Sequence, residues 1–415
     1  MIAGTSSAKA YSYRYIVSLK KKAETEKDFD FLDDDGFRYL ETFEFPDSPH
    51  GDLILVEAEV GSARLDKLEK DPRVEFVEAD EEVSLIASDQ SERKLPNDLK
   101  SSLWGLDSPY GKVDIDAPEA WTKNTGRRDG PIIAVLDTGL DLQHSDLKAN
   151  LWVNTGEIPN NGQDDDGNGV VDDVHGFDAY NKNGDPYDRS GHGTHCAGTI
   201  GAVGDNDEGI VGVNWQARIM PVKIFDDKEE KPKAPRSAIL RGLSYAQRNG
   251  ARITSNSWGG GGRSRSVERA FQNFDAFHVM AAGNDSEDND KKSHYPSNYD
   301  VDHSLAVASI DRWGELSDFS NYGESEVDLA APGSSIYSTY LNGGYAYLSG
   351  TSMATPHVTG VVGLLLSERP DLTNRQLKYA VLQSVDQRES LNGKVASGGS
   401  LNADKALQLL QSSQG

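Results

Sequence analysis

The feature that most constrains the fold is the run Gly-Thr-Ser-Met-Ala-Thr-Pro-His at residues 350–357, which leads into the apolar segment 358–366. The pattern predicts a buried helix that carries Ser352 near its first turn. The first N–H groups of a helix have no partner within it, and the helix dipole favours negative charge at the same end. Ser352 is therefore predicted to lie where an oxyanion would be stabilised, although the same local pattern also fits a simple helix cap.

An acid and a base occur at the ends of two further elements. Residues 131–141 read Pro-Ile-Ile-Ala-Val-Leu-Asp-Thr-Gly-Leu-Asp, which predicts a buried parallel strand that ends at Asp137 and a glycine turn. Residues 191–198 place His192 between two glycines at the start of another helix of small residues. Open α/β sheets form their sites at the carboxyl ends of their strands. The chain thus presents Asp, His and Ser in the order that subtilisin uses.

These three motifs together resemble those of the subtilisin-like serine peptidases, and a fourth segment, 279–284, ends in Asn284, where this family keeps its oxyanion-hole asparagine. The resemblance implies an α/β fold with a mostly parallel sheet flanked by helices. It also implies a serine endopeptidase that forms an acyl-enzyme through a triad of Asp137, His192 and Ser352. Asn284 and the N–H of Ser352 would form the oxyanion hole.

The substrate cleft is implied by the same resemblance. Residues 253–260 are similar to the strand and glycine turn that line the primary specificity pocket in this family and pair with the substrate backbone. His294, in a His-Tyr-Pro segment, is expected near the floor of that pocket. The glycines at 259–262 also fit a merely flexible turn. The implied substrate-binding residues are Ser257, Trp258, Gly259, Gly260, Ala281, Ala282 and Gly283.

Cys196 is the only cysteine, so the chain forms no internal disulfide. It follows His192 by four residues, which puts both on one face of the predicted helix. A cysteine peptidase that uses this pair is the alternative, but we expect a small buried packing residue behind His192. We expect structural roles for His144, His195 and His357.

The first hundred residues predict a separate small domain. Strands are predicted at 13–19, 37–45, 52–60 and 74–79, with a helix at 62–69. With a short helix between the first two strands, the order is strand, helix, two strands, helix, strand, which is that of a ferredoxin-like α+β domain. Residues 15–17 and 71–78 resemble the inhibitory propeptide of many secreted subtilisins, and a regulatory domain that stays attached is the alternative. The expected domains are a disordered N-terminus (1–10), a propeptide that assists folding and then inhibits the enzyme (11–86), a linker with the processing site (87–103) and the peptidase (104–415).

Two acidic segments predict structural calcium sites. Residues 161–173 contain oxygen donors at alternate positions from Asp164, with Gly169 sixth in that count, as in a calcium loop. His175 stands where an EF-hand has its bidentate acid, so no EF-hand helix pair is implied. A second site is implied by the resemblance, and a solvated acidic turn is the alternative for the first. The predicted ligands are Asp164, Asp166, Asn168, Val170, Asp172 and Asp173 in the loop, and Asp146 and Asp205 in the second site.

Charge and hydropathy restrict the partners. A formal net charge of −25 argues against nucleic acid and anionic membranes. No apolar stretch approaches the roughly 20 residues that span a bilayer. We expect a monomer that acts on proteins or peptides and is inhibited by its own propeptide.

The location and the function each have an alternative. Residues 1–10 lack a signal-peptide pattern, yet the full-length propeptide favours a secreted or periplasmic enzyme, with the cytoplasm as the alternative. The rival function is that of a catalytically inactive calcium-dependent binding protein on the same scaffold.

Overall fold

The computed structural model forms two compact units, Met1–Gln90 and Ser91–Gly415. Among the residues that the structure describes, no helix is long and apolar enough to cross a membrane. The described residues are 12–21, 29, 32, 37–43, 52–59, 67–80, 93–108, 113–226 and 232–412.

The first unit contains a four-stranded antiparallel sheet in the order β2-β3-β1-β4. Val17 pairs with Ile54, and both are buried, so one face of the sheet forms a small core. Of the predicted helix, residues 67–69 are helical, and the rest lies outside the described residues, as do the predicted strand ends at 44–45 and 60. The strands are β1 (Ser12–Leu19), β2 (Phe37–Phe43), β3 (Leu53–Glu59) and β4 (Val74–Ala79).

The second unit is built on a nine-stranded sheet in the order β14-β15-β11-β10-β9-β8-β5-β7-β6. Every pair is parallel except the β14–β15 pair at one edge. A separate antiparallel hairpin consists of β12 (Ile336–Tyr340) and β13 (Gly344–Leu348). The strands of the large sheet are β5 (Ile132–Asp137), β6 (Phe177–Asp178), β7 (Arg218–Lys223), β8 (Ile253–Asn256), β9 (Phe277–Ala281), β10 (Ser304–Ile310), β11 (Leu329–Pro332), β14 (Asp386–Gln387) and β15 (Gly399–Ser400).

Helices cover both faces of this sheet, as predicted. The helices are α1 (Ala117–Ala120), α2 (His192–Gly201), α3 (Arg236–Arg248), α4 (Arg265–Asn273), α5 (Thr351–Glu368), α6 (Asn374–Gln383) and α7 (Ala403–Ser412).

Alternate residues of β5 point into two different cores. Ile133 and Val135 pack in a core with residues of α2, α5 and α7, whereas Ala134 and Leu136 pack in a core with residues of α3 and α4. A strand that is buried on both faces needs a continuous apolar run, which is what its sequence contains. This burial carries Asp137 to the end of a rigid central strand.

Part of the predicted linker packs in the second unit. Asp98 is 2% exposed and Leu103 is 5% exposed, and the N–H of Lys94 donates to the carbonyl of Pro118 over 3.0 Å. Residues 93–103 are therefore ordered by single buried side chains and backbone hydrogen bonds. Such contacts leave no periodic pattern in the sequence, which is why the segment resembled a linker.

Candidate active site

Asp137 and His192 meet where β5 ends and α2 begins. The Nδ1 of His192 lies 2.7 Å from Oδ1 of Asp137, and the N–H of Thr138 donates to the same oxygen over 2.7 Å. The N–H of Gly193 donates to Oγ1 of Thr138 over 2.9 Å. A Cβ on Gly193 would lie 2.2 Å from the carbonyl oxygen of Gly139, so only glycine lets the helix approach this closely. The close approach of α2 to the end of β5, which this glycine permits, thus brings the acid and the base together.

The surroundings of His192 favour its protonated form. Asp137 is 1% exposed, whereas the imidazole keeps 31% of its surface exposed. Burial alone would lower the pKa of His192, but the charge and hydrogen bond of Asp137 and the charge of Asp188 raise it above the usual value. Because Asp137 can only accept, we assign the proton of the neutral imidazole to Nδ1, which leaves Nε2 as the base.

Ser352 is the second residue of α5, and its side chain is half-buried. Its Oγ donates to the carbonyl of Ser257 over 3.0 Å, and no hydrogen bond joins it to His192 in this part of the structure. Pro356, four residues on, has no N–H to donate to the carbonyl of Ser352. That oxygen instead accepts from Oγ of Ser257 at 2.9 Å and from Sγ of Cys196 at 3.4 Å. The proline therefore leaves a helix carbonyl free to tie Ser352 to its neighbours.

Asn284 follows β9 and is oriented by the first residue of α5. Its Oδ1 accepts from the N–H of Thr351 at 2.8 Å and from Oγ1 of Thr351 at 3.0 Å. Both acceptor contacts direct the Nδ2 of Asn284 away from Thr351. A Cβ on Gly350 would lie 3.4 Å from this Nδ2 and 3.5 Å from the N of Ser352. The nitrogens of two potential donors thus lie near the same point beside Gly350, and such donors suit a developing oxyanion.

The segments expected to bind substrate flank this site. Ser257 is buried and touches Ser352 twice, as described above. Trp258 is half-buried, with its ring 6.4 Å from that of Phe271. Ala281 and Ala282 are buried at the end of β9. The N–H of Gly283 donates to Oγ1 of Thr351. The N–H of Gly260 donates to the carbonyl of Tyr295.

His294 lies between the two glycine segments of this region. A Cβ on Gly259 would be 2.1 Å from Cε1 of His294, and one on Gly283 would be 3.0 Å from its Cδ2. Its Nδ1 is 3.3 Å from Oγ of Ser297, and burial lowers the pKa of the ring. The structure thus brings His294 against the segments in which the pocket was predicted.

Cys196 packs behind the site with Trp104, Ile336 and Met353. Burial raises the pKa of its thiol well above the usual value, so the thiol stays protonated. This state does not suit a nucleophile, and the cysteine peptidase alternative loses its support.

The other histidines of these segments face backbone carbonyls. The Nε2 of His144 lies 3.0 Å from the carbonyl of Gly344, and that of His195 lies 3.0 Å from the carbonyl of Ile336. The Nδ1 of His357 lies 2.9 Å from the carbonyl of Met353. Burial lowers the pKa of His195 and of His357 to about 4, which keeps both rings neutral.

The acidic insertion gathers some of its predicted ligands. Oxygens of Glu157, Asp164 and Asp166 lie within 4.8 Å of one another. Glu157 was not among the predicted ligands, because it precedes the alternating segment. Asp172 instead accepts from the N–H groups of Asn161 and Gly162.

Of the other predicted ligands in the insertion, two are buried and one forms hydrogen bonds within the loop. Asp173 is fully buried and accepts from the hydroxyl of Tyr245. Asn168 donates its N–H to Asp164 and Asp166, and Val170 is buried in the core beside α3.

In the second acidic segment, Asn206 connects the predicted ligand Asp146 with Asp98, which was not predicted. The side chain of Asn206 donates to Asp146 over 2.9 Å, and its N–H donates to Oδ2 of Asp98 over 3.2 Å. Oδ1 of Asp205 accepts from the N–H of Asn97, the residue before Asp98. Burial raises the pKa of both Asp98 and Asp146. Oδ1 of Asp98 is buried without a hydrogen-bond partner, which is the state expected of an oxygen that binds a cation.

Sequence reasoning missed Asp98, Glu157 and Asp188. Asp98 lies in a segment without periodicity, and Glu157 stands outside the calcium-loop spacing. Asp188 had a usable signal, because an acidic residue just before a helix is a common cap.

Comparison with known proteins identifies the family of the chain. Residues 128–406 match the Subtilase family. The chain belongs to the subtilase family. Thermitase from Thermoactinomyces vulgaris is 37% identical over 303 residues, which cover 72% of this chain and 95% of that protein. The Intracellular serine protease of Paenibacillus polymyxa is 37% identical over 284 residues, which cover 66% of this chain and 78% of that protein.

Two further proteins match this subtilase at lower sequence identity. Subtilisin-like protease 1 of Plasmodium berghei (strain Anka) is 33% identical over 333 residues, and the match covers 75% of this chain but 54% of that protein. A solved protease structure from Pseudoalteromonas arctica aligns with a TM-score of 0.60 and 27% identity, over 76% of this chain and 99% of that chain. The subtilase is a serine-type endopeptidase with the expected mostly parallel, helix-flanked fold.

Proposed function

We propose that this subtilase cleaves peptide bonds through a triad of Asp137, His192 and Ser352. The observation that carries the proposal is the 2.7 Å contact between Nδ1 of His192 and Oδ1 of Asp137. It leaves Nε2 free to take the proton of Ser352 during attack on the scissile carbonyl and to return it to the leaving amine. The Oγ–H of Ser352 must first turn from the carbonyl of Ser257 toward His192, and catalytic hydrogen bonds are often formed only with substrate bound.

The oxyanion would be held by Nδ2 of Asn284 and the N–H of Ser352. Support comes from the two contacts that orient Asn284 and from the position of Ser352 in the first turn of α5. Because Asn284 is held by Thr351 and Ser352 by its helix, little reorganisation would be needed as the charge develops. The acyl side of the substrate would then lie along Ser257, Gly259 and Gly283, which border this point.

A fluorophosphonate probe separates this enzyme from an inactive binding protein. The probe should label the processed chain, and Ser352→Ala should abolish labelling. Ser325→Ala is the matched control, because Ser325 is exposed and lies outside the site. Asp137→Asn should stay folded and lose about 10⁴-fold in turnover, since the imidazole loses its orienting anion. Near-parental turnover in Asp137→Asn would reject the triad.

We further propose that the enzyme is made as a zymogen that cuts itself. The N-terminal unit has the strand order expected of the inhibitory propeptide, and a tethered substrate segment has a high effective concentration. Because Asp98 and Leu103 are buried, the cut is expected before residue 93. Ser352→Ala should then accumulate uncut in a protease-deficient host. The same mature N-terminus in that variant would assign the cut to another protease.

Calcium is proposed as a structural ion at two places. Asp98 and Asp146 would hold one ion together with backbone of the 203–210 loop, and Glu157, Asp164 and Asp166 would hold another. Support comes from the unpartnered oxygen of Asp98 and from the three clustered carboxylates of the insertion. Oxygen donors of this kind suit Ca²⁺. The ions would stabilise loops, because neither group of ligands includes a triad residue.

We propose an exported monomer, with the full four-stranded N-terminal unit as the support for export. The relative named an intracellular serine protease makes the cytoplasm the second candidate. Immunoblots of culture medium, periplasmic extract and spheroplast lysate decide between them, and protein found only in the spheroplast lysate would reject export. Sedimentation of the Ser352→Ala protein tests the monomer.

A further inference from the structure

The helix that carries His192 begins without a side-chain cap of its own. Its N-cap is Gly191, which has a φ of 90° and no side chain to accept from the first N–H groups. Position 192 is therefore at the positive end of the helix dipole. A positive helix end disfavours the imidazolium that His192 must become during reaction.

The missing cap is supplied by Asp188, which is fully buried. Its Oδ1 accepts from the N–H of Ser190 at 2.9 Å and from that of Gly191 at 3.0 Å. Its Oδ2 accepts from the N–H of Thr194 at 3.0 Å and from Oγ1 of Thr194 at 2.7 Å. One carboxylate thus binds the turn before His192 and the first turn after it.

The same turn is fastened to the segment that follows Asp137. The N–H of Leu140 donates to the carbonyl of Pro186 over 3.0 Å, and the N–H of Asp188 donates to the carbonyl of Leu140 over 3.2 Å. Oγ1 of Thr194 also accepts from the N–H of Asp141 over 3.0 Å. The position of His192 relative to Asp137 therefore depends on a turn that Asp188 holds in shape.

We propose that Asp188 is a positioning residue for the catalytic histidine. It holds the start of α2 so that His192 meets Asp137, and its charge offsets the positive helix end. The inference rests on the proposed triad. Asp188 itself lies in the turn behind His192, and its four hydrogen bonds go to that turn and to the first turn of α2.

Several charged or titratable groups surround His192. Asp137 lies at the end of β5, Cys196 and His195 lie on α2, and Lys223 of β7 is buried and donates to the carbonyl of Thr138. Cys196 and His195 stay neutral near pH 7, because burial raises the pKa of the thiol and lowers that of the imidazole.

Asp188 is the second anion that raises the pKa of His192, after Asp137, against the lowering effect of burial. Removing its charge should lower this pKa. The acid limb of the pH profile, in which kcat/KM falls as His192 becomes protonated, should then move to lower pH.

Asp188→Asn is the decisive variant, because it keeps the shape of the side chain and removes the charge. Its amide oxygen can accept on one side only, so the hydrogen bonds either from Ser190 and Gly191 or from the N–H of Thr194 are lost. We expect kcat per labelled active site to fall about tenfold, equivalent to about 1.4 kcal/mol, with KM little changed. The acid limb should move down by about half to one pH unit. Asp185→Asn is the matched control, since Asp185 is exposed in the same turn, and it should leave both quantities unchanged.

A merely structural role predicts a different result. In that case Asp188→Asn would lower the melting temperature and the fraction of chains that the fluorophosphonate labels, while kcat per labelled site and the acid limb stay parental. That result overturns the proposal. If Asp188→Asn yields no folded enzyme, Asp188→Glu decides, because it keeps the charge and displaces the oxygens. It should retain the acid limb and lose about threefold or more in kcat, and parental kcat per labelled site would reject the positioning role.

Failure of the triad would look different again. If the parent enzyme is not labelled, or if Asp137→Asn stays active, the proposed function fails and the role of Asp188 fails with it. If the parent is labelled and Asp188→Asn behaves like Asp185→Asn, only the positioning role fails.

Discussion

His278 should make the folded protein sensitive to acid. It lies on β9, fully buried, with Nε2 3.2 Å from the carbonyls of Phe271 and Phe274 and Nδ1 2.7 Å from Oγ1 of Thr254. Burial, with a smaller contribution from the neighbouring His303, lowers the pKa of His278 to about 3. The neutral ring thus donates from Nε2 to the carbonyls at the end of α4. A second proton, on Nδ1, would create a positive charge inside the protein, and burial makes this charge unfavourable.

The magnitude follows from the difference between folded and unfolded chains. The unfolded chain binds a proton at His278 near its usual pKa of about 6.5, whereas the folded chain stays neutral down to about pH 3. Below pH 6.5 the unfolded state therefore binds more protons, and the free energy of unfolding falls as the pH falls. Between pH 8 and pH 5 the loss from this one residue is about 2 kcal/mol.

The variant His278→Gln removes the titration and keeps a donor for the helix carbonyls. It is measured in a Ser352→Ala background, so that autolysis does not distort urea unfolding at pH 8 and pH 5. His278→Gln should be less stable at pH 8, because it loses packing against Phe271 and Phe274. The stability gap to the parent should be about 2 kcal/mol smaller at pH 5. An equal gap at both pH values would refute the linkage argument.

Two further predictions concern the site and its ions. Asn284→Ala should lower kcat by about 10²–10³-fold with little change in KM, the range known for such a donor in subtilisin, because the lost hydrogen bond forms only as the oxyanion develops; a loss confined to KM would contradict the assignment. Chelation should lower the melting temperature of the Ser352→Ala protein, because a cation that binds only the folded state adds about 2.7 kcal/mol at a hundredfold excess over Kd. Asp98→Ala should blunt this sensitivity and the exposed Asp205→Ala should not, whereas equal melting temperatures in calcium and chelator would end the calcium proposal.

The elements that carry the triad could be predicted from the sequence because their signals are local. An apolar run buried on both faces predicts β5 and places Asp137 at its end, and the small residues after His192 and around Ser352 predict helix starts. Each of these predictions uses residues that are close together in the sequence, within a single strand or a single helical turn. The fold class and the relation to subtilases follow from the same segments.

Only the tertiary structure decided which side chains meet across the chain. Asp98 reaches the Asp146 site through Asn206, a contact that spans 108 residues. Asp205, which precedes Asn206, accepts from the N–H of Asn97 across a similar distance along the chain. Asp188 had a local signal as an acid shortly before a predicted helix, but its four partners in the turn and in α2 were decided by the fold of that turn. Spacing along the chain fixes which face of an element a residue occupies, but a partner from another element is selected by packing, and packing leaves no periodic trace in the sequence.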